Sequence, residues 1–184
     1  MTDAASDRFL VLSALGPDRP GLVAELSRYL TERGANIEES RMVTLGGEFG
    51  MLVLASGGPS VIERVRADVG ALEQKTGASV LLRDTVDPRS LADARPLPCT
   101  VLADALDHEG IVHTLAAALE RLDVSIVSLE TSSYPAPWTG ADLFRFEATC
   151  SLPRALLVGD LRKALDEVAR AQGIDVEVRS PSTR

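Results

Sequence analysis

The chain has 184 residues, 45% of them hydrophobic and 25% charged, the composition of a folded globular protein with room for one large domain or two small ones. Acidic side chains outnumber basic ones 27 to 19, and the net charge of −8 is the wrong sign for gripping a phosphate backbone, so direct nucleic-acid binding is disfavoured. The longest apolar run, Met51 to Ala55, is far short of a membrane helix, and the polar start Met1 to Arg8 lacks a signal-peptide core, so a cytoplasmic protein is expected.

Arg8 to Ala14 is a nearly continuous apolar run and reads as a strand inside a sheet. The turn-rich stretch Leu15 to Gly21 follows, then Leu22, Leu26, Tyr29 and Leu30 at helical spacing, with a stop at Gly34. Ile37 to Leu45 and Glu48 to Ala55 are extended segments separated only by Gly46 and Gly47, a hairpin signal. Past Gly57-Gly58-Pro59, Ser60 and Glu63 have the spacing of a capping box, and Ile62, Val65, Val69 and Leu72 predict one helix ending at Thr76-Gly77. Ser79 to Asp84 makes a last short strand. The order βαββαβ predicts a ferredoxin-like unit, with two helices on one face of a four-stranded antiparallel sheet.

Val86 to Pro98 carries three prolines among charged residues and reads as a linker. The pattern then repeats. Cys99 to Leu106 predicts a strand, Asp107 to Gly110 a loop, and Ile111, Leu115, Leu119 and Leu122 the face of a helix. Ser125 to Tyr134 and Leu143 to Leu152 supply paired strands, Pro153 opens a helix carrying Leu157, Leu161, Leu165 and Val168, and Ile174 to Arg179 closes the unit. Gly21 and Gly110 are 89 positions apart, and so are Ile37 and Ile126. Equal offsets across a loop, a helix and a strand indicate duplication. The expected fold is α+β, two ferredoxin-like units in tandem, with domains at 1–85 and 99–184 and a linker at 86–98.

Cys99 and Cys150 are too few and too far apart for a disulfide framework or a zinc site, and they read as reduced packing residues. Because the first and third strands of a βαββαβ unit are central neighbours, these two cysteines are expected side by side on adjacent antiparallel strands. His108 and His113 miss the i,i+4 spacing of two ligands on one helical face, so no metal site is expected. No nucleophile, base and orienting group share a motif, and neither an enzyme nor a cofactor is expected.

The run Leu15-Gly16-Pro17-Asp18-Arg19-Pro20-Gly21-Leu22-Val23, with Gly34-Ala35-Asn36-Ile37 opening the next strand, resembles the start of an ACT domain. The second half, above all Pro135-Ala136-Pro137-Trp138-Thr139-Gly140 followed by Asp142-Leu143-Phe144, resembles the tandem partner domain of the glycine cleavage system transcriptional repressor group. The likeness spans about residues 8 to 179. It implies a sensor of a small amino acid, glycine or serine, that acts through a protein partner such as a DNA-binding activator. A stand-alone metabolic sensor acting on an enzyme or transporter is the rival reading. ACT modules also occur as appendages of enzymes, but only Ser180 to Arg184 follow the second repeat, so no appended catalytic domain is expected.

A helix N-terminus presents unpaired amides suited to a carboxylate, Gly21 permits close approach, and Asp18 offers an anion for an ammonium. The plain alternative is that Asp18 caps the helix and Pro20 fixes its first turn. The resemblance favours a ligand site over Asp18, Arg19, Pro20, Gly21 and Leu22, with Asn36 and Ile37 of a neighbouring domain as its second wall. Side-by-side sheets would also hide edge strands, and a homo-oligomer is expected. In the second unit the loop reads Asp107-His108-Glu109-Gly110, with an acid where Pro20 stands in the first. His108, Glu109, Gly110, Ser125 and Ile126 therefore form a weaker second site. The loop Pro135, Pro137, Trp138 and Gly140 is longer than its hairpin needs, and its tryptophan either anchors a partner or plugs its own domain edge.

Overall fold

The structure, a computed structural model, describes residues 7–94, 97–137 and 140–180. The chain divides into two compact units, Met1–Asp93 and Ala94–Arg184. In the first, β1 (Arg8–Pro17), α1 (Leu22–Glu32), β2 (Asn36–Leu45), β3 (Glu48–Gly57), α2 (Pro59–Ala67), α3 (Val69–Thr76) and β4 (Ser79–Thr85) build an antiparallel sheet of order β2-β3-β1-β4. In the second, β5 (Leu97–Leu106), α4 (Ile111–Arg121), β6 (Ser125–Pro135), β7 (Asp142–Leu152), α5 (Val158–Gln172) and β8 (Asp175–Arg179) repeat it as β6-β7-β5-β8. This is the expected tandem ferredoxin-like arrangement.

Each sheet turns one row of side chains toward its helices. In the first unit Leu10, Leu12, Met51 and Val53 meet Leu22, Leu26 and Leu30 of α1 and Ile62 and Val65 of α2. In the second, Val101, Ala103, Phe146 and Ala148 meet Leu115 and Leu119 of α4 and Leu161 and Leu165 of α5. Both edge strands carry an irregularity at the same place, between Ile37 and Glu39 in β2 and between Ile126 and Ser128 in β6.

Cys99 and Cys150 stand directly opposite each other across β5 and β7, both buried and reduced. Burial pushes the Cys150 thiol up to about 12 and raises Cys99 as well, because a thiolate there would lose its hydration.

Four expectations are corrected. Ser60 and Glu63 form no capping box: Gly58 is the N-cap of α2 with Pro59 beginning the helix, and Glu63 lies 3.9 Å from Arg8 instead. The single helix expected from Ser60 to Thr76 is two, broken at Asp68. The break frees the Val65 carbonyl from an i+4 amide, and the Tyr29 hydroxyl donates to it, while Asp68 accepts from Arg33 Nη2 at 2.9 Å. Pro153 does not open the last helix, which starts at Val158 with Leu157 exposed as its N-cap; Ala169 is buried and Val168 only half so. The segment read as linker contains a 3₁₀ helix, Pro88–Ala94, begun by Asp87, whose carboxylate accepts from the Arg89 amide at 2.8 Å, and Leu97 and Pro98 already belong to β5.

Candidate functional site

Strand β1 runs to Pro17, and the Asp18 amide donates to the Gly47 carbonyl at 3.0 Å, which ties the start of the loop to the β2–β3 hairpin. The chain enters α1 through Gly21, whose φ of 89° lies in the left-handed region that glycine adopts without steric penalty. Gly110 enters α4 in the same way at φ 91°. A Cβ built at either glycine meets no atom within 4 Å. Backbone conformation, rather than close approach by the protein's own atoms, therefore requires glycine at both positions.

No side chain caps α1, so Asp18 is not the helix cap and remains exposed. Pro20 lies ahead of the N-cap and does not fix the first turn. Leu22 is only 2% exposed and serves the core, which leaves its backbone but not its side chain facing the loop. Its amide reaches the Arg19 carbonyl at 3.4 Å, and the Glu25 amide reaches the Gly21 carbonyl at 3.0 Å. Among the described residues the intervening amides of Val23 and Ala24 have no acceptor. They carry the partial positive charge of a helix start.

Arg19 is fixed by Glu25, Nη2 to Oε2 at 2.6 Å, and by the Lys75 carbonyl at 3.4 Å. The hydrogen bond from Arg19 holds the Glu25 carboxyl below its usual range, and Arg19 is raised in return. Glu25 was not legible as part of the site. Its signal was an acid in the first turn of a helix six residues after an arginine.

Asn36 and Ile37 lie elsewhere in the same unit. They pair with Ser56 and Ala55 at the end of the sheet where β1 begins, whereas the Asp18 to Gly21 loop leaves the end where β1 stops beside Glu48. The eight residue steps from Phe9 to Pro17 span about 26 Å. Asn36 is exposed and donates to Glu38 Oε1 at 2.9 Å, with Ser56 Oγ donating to the same oxygen at 2.5 Å. Together the two donors lower the Glu38 carboxyl, the serine first. Ile37 packs against the core.

In the second unit His108 and Gly110 line a cavity of about 440 Å³ with Ile111, His113 and Phe144. Ser125 and Ile126 line another of about 480 Å³, which also contains His113 together with Ala116 and Glu120 of α4. His113 thus stands beside both clusters, one turn into the helix, although its spacing from His108 had excluded it only as a metal ligand. Glu109 is exposed, and its carbonyl lies 2.9 Å from His108 Nδ1. In the hairpin loop, Pro135 pairs with Asp142 as the last residue of β6, Pro137 is exposed, and Gly140 has a φ of 67°. The loop is closed by Ala136 N to Ala141 O at 2.8 Å and Gly140 N to Ala136 O at 3.1 Å. Trp138 lies outside the described residues.

Residues 8–82 match the ACT domain family. The glycine cleavage system transcriptional repressor of Escherichia coli (strain K12) is 28% identical over 175 residues, which cover 92% of this chain and 90% of that protein. A crystal structure of a protein of unknown role from Galdieria sulphuraria is 31% identical, with a TM-score of 0.80 over 95% of this chain and 99% of the other. A second crystal structure, of a protein provisionally assigned as a glycine cleavage system transcriptional repressor, shares the fold at 23% identity and a TM-score of 0.72, covering 95% and 98%.

Proposed function

Because the chain is a tandem ACT-domain protein that resembles the glycine cleavage system transcriptional repressor group, we propose that it senses a small amino acid and passes occupancy to a protein partner. The observation that carries this reading is the start of α1. The amides of Val23 and Ala24 are unsatisfied there, on a loop shaped by Gly21 and fastened by Arg19 to Glu25. An α-carboxylate fits the amides, and the exposed Asp18 suits an α-ammonium. Glycine and serine are small enough to satisfy both without needing a side-chain pocket.

Asn36 and Ile37 sit at the far end of the same sheet, so a ligand held by both groups is shared with the β2 edge of a neighbouring ACT domain. Occupancy then favours one packing of neighbouring sheets over another, which is the differential affinity that regulation requires. A net charge of −8 supports action through a DNA-binding activator rather than on DNA directly. The chain is thereby read as a regulator and not as a catalyst. The loop around Pro137 and Gly140 is the proposed surface for that partner.

A thermal-shift series of amino acids at millimolar concentration tests the reading. Glycine or serine raises the melting temperature of the native chain, and Gly21→Val abolishes the shift. Absence of any shift across the amino acids would remove the sensor reading, and turnover of an added substrate would replace it with an enzyme.

A further inference from the structure

The helices cover one face of each sheet, and the opposite faces differ. In the first unit three cross-strand rows face away from the helices. They run Val43, Gly50, Leu15, Ser79; then Arg41, Leu52, Ser13, Leu81; then Glu39, Leu54, Val11, Arg83. Their centre is apolar and open: Leu15 is 60% exposed, Leu52 53%, Leu81 61% and Val43 52%. Contiguous apolar surface of this kind is uncommon on a face meant for water.

The second unit supplies the control. At the positions that match in pairing, Asp104 replaces Leu15, Arg145 replaces Gly50, Glu147 replaces Leu52 and Glu177 replaces Leu81. Arg145 bonds Asp104 at 2.9 Å and Arg179 bonds Glu177 at 2.6 Å across this charged face. The fold therefore does not need leucine there, and the apolar face of the first unit requires a separate reason.

We propose that the open face of the first sheet docks against the same face of a second copy of this chain, about a two-fold axis lying parallel to the strands. Two features select a second copy. The face has both halves of an interlocking contact: Gly50 leaves a hollow between Val43 and Leu15, 3.7 and 3.9 Å from where a Cβ would sit, and Ser13 leaves another between Leu52 and Leu81. One copy's leucines fill the other's hollows, as aligned sheets do. The rims are complementary under the same axis, which lays the β2 side of one copy over the β4 side of the other. Glu39, which bonds Arg41 of its own strand at 2.8 Å, then faces Arg83 of the second copy along their shared row, and Arg83 has no ion-pair partner among the described residues. Four strands about 4.8 Å apart and the five residues from Val11 to Leu15 give a footprint of about 320 Å² per copy, so a pair covers about 650 Å², the size of a weak and reversible contact. This proposal uses a sheet face, not the loop or the β2 edge, and does not depend on amino-acid binding.

Sedimentation velocity of the full chain between about 10 µM and 1 mM, the range suited to a contact of this size, reads the association directly. The native chain moves from monomer to dimer across the series. Leu52→Glu with Leu81→Glu, which installs the residues of the second unit, weakens association by at least about 100-fold and leaves the circular dichroism spectrum unchanged. Glu39→Arg and Arg83→Glu each weaken the dimer, and the two together restore it. A native chain that stays monomeric over the whole range would overturn the proposal, whether or not another protein occupies the face. So would a dimer indifferent to the glutamates, or a charge swap that restores nothing.

Discussion

In the first unit the loop into the helix is fastened by Arg19 to Glu25; in the second, 89 positions on, the same places hold His108 and Thr114, and His108 turns to the Glu109 carbonyl. The glycine at the helix entry keeps its left-handed conformation in both. The amide of Asp18 reaches Gly47 and the amide of Asp107 reaches Asp142 in equivalent bonds. Duplication has thus preserved the hydrogen-bonded path of the backbone while the side chains diverged. The backbone path is needed to close each fold, whereas the charged groups hung on it answer to whatever each unit meets outside.

The largest expected difference between the units is alkaline. Both cysteines belong to the second unit, and their raised thiols stay protonated in the fold at a pH where the unfolded chain has already ionised, which favours unfolding. The stability held while both states are protonated is complete below the ordinary thiol value of 9.0 and is lost as pH rises toward about 12. Urea unfolding of the native chain should therefore lose about 1.4 kcal/mol more per pH unit in that window than Cys150→Ala does. Equal slopes would place the thiol in a less desolvated site than the one described.

A smaller effect tests the shared backbone. Gly21→Ala and Gly110→Ala should each cost about 1 kcal/mol of stability, since both put a Cβ on a left-handed residue. Only the first should also weaken amino-acid binding in calorimetry. If both variants lose binding equally, the second loop is a full site and the asymmetry between the units disappears.

The smallest effect isolates the clamp. Arg19→Ala should leave the melting temperature close to that of the native chain, because the pair is largely solvated, while lowering affinity for the effector. The depressed Glu25 carboxyl predicts that the native loop loosens as pH falls through and below the usual carboxylate range, and affinity with it. An affinity that is flat in acid and unaffected by Arg19→Ala would separate the clamp from the site.

The element order and the duplication were legible because apolar periodicity and turn residues report directly on which face of each segment is buried. The same topology placed Cys99 opposite Cys150. What escaped reading was decided by competition between neighbours. At the start of α2 a Ser-x-x-Glu spacing lost to Gly58 and Pro59, and the helix expected to run through Asp68 is interrupted where Tyr29 and Arg33, distant in sequence, take over its polar groups. Loop residues of the site were identifiable as types, but their spatial relation was not. Only the strand register shows Asn36 and Gly21 at opposite ends of one sheet, and no local pattern encodes that separation.

The irregularity near the start of each edge strand has a consequence for any sheet that grows sideways. After its interruption β2 offers a regular run only from Glu39 to Leu45, and β6 resumes at Ser128 after its own. A bulge twists the strand locally and breaks the spacing of its outward amides, so an incoming strand that slides past it meets donors out of step. Such an edge admits a neighbour at one offset and resists the indefinite stacking by which flat edges seed fibrils. Both copies of the fold keep this stop, at Ile37 and Ile126, 89 residues apart.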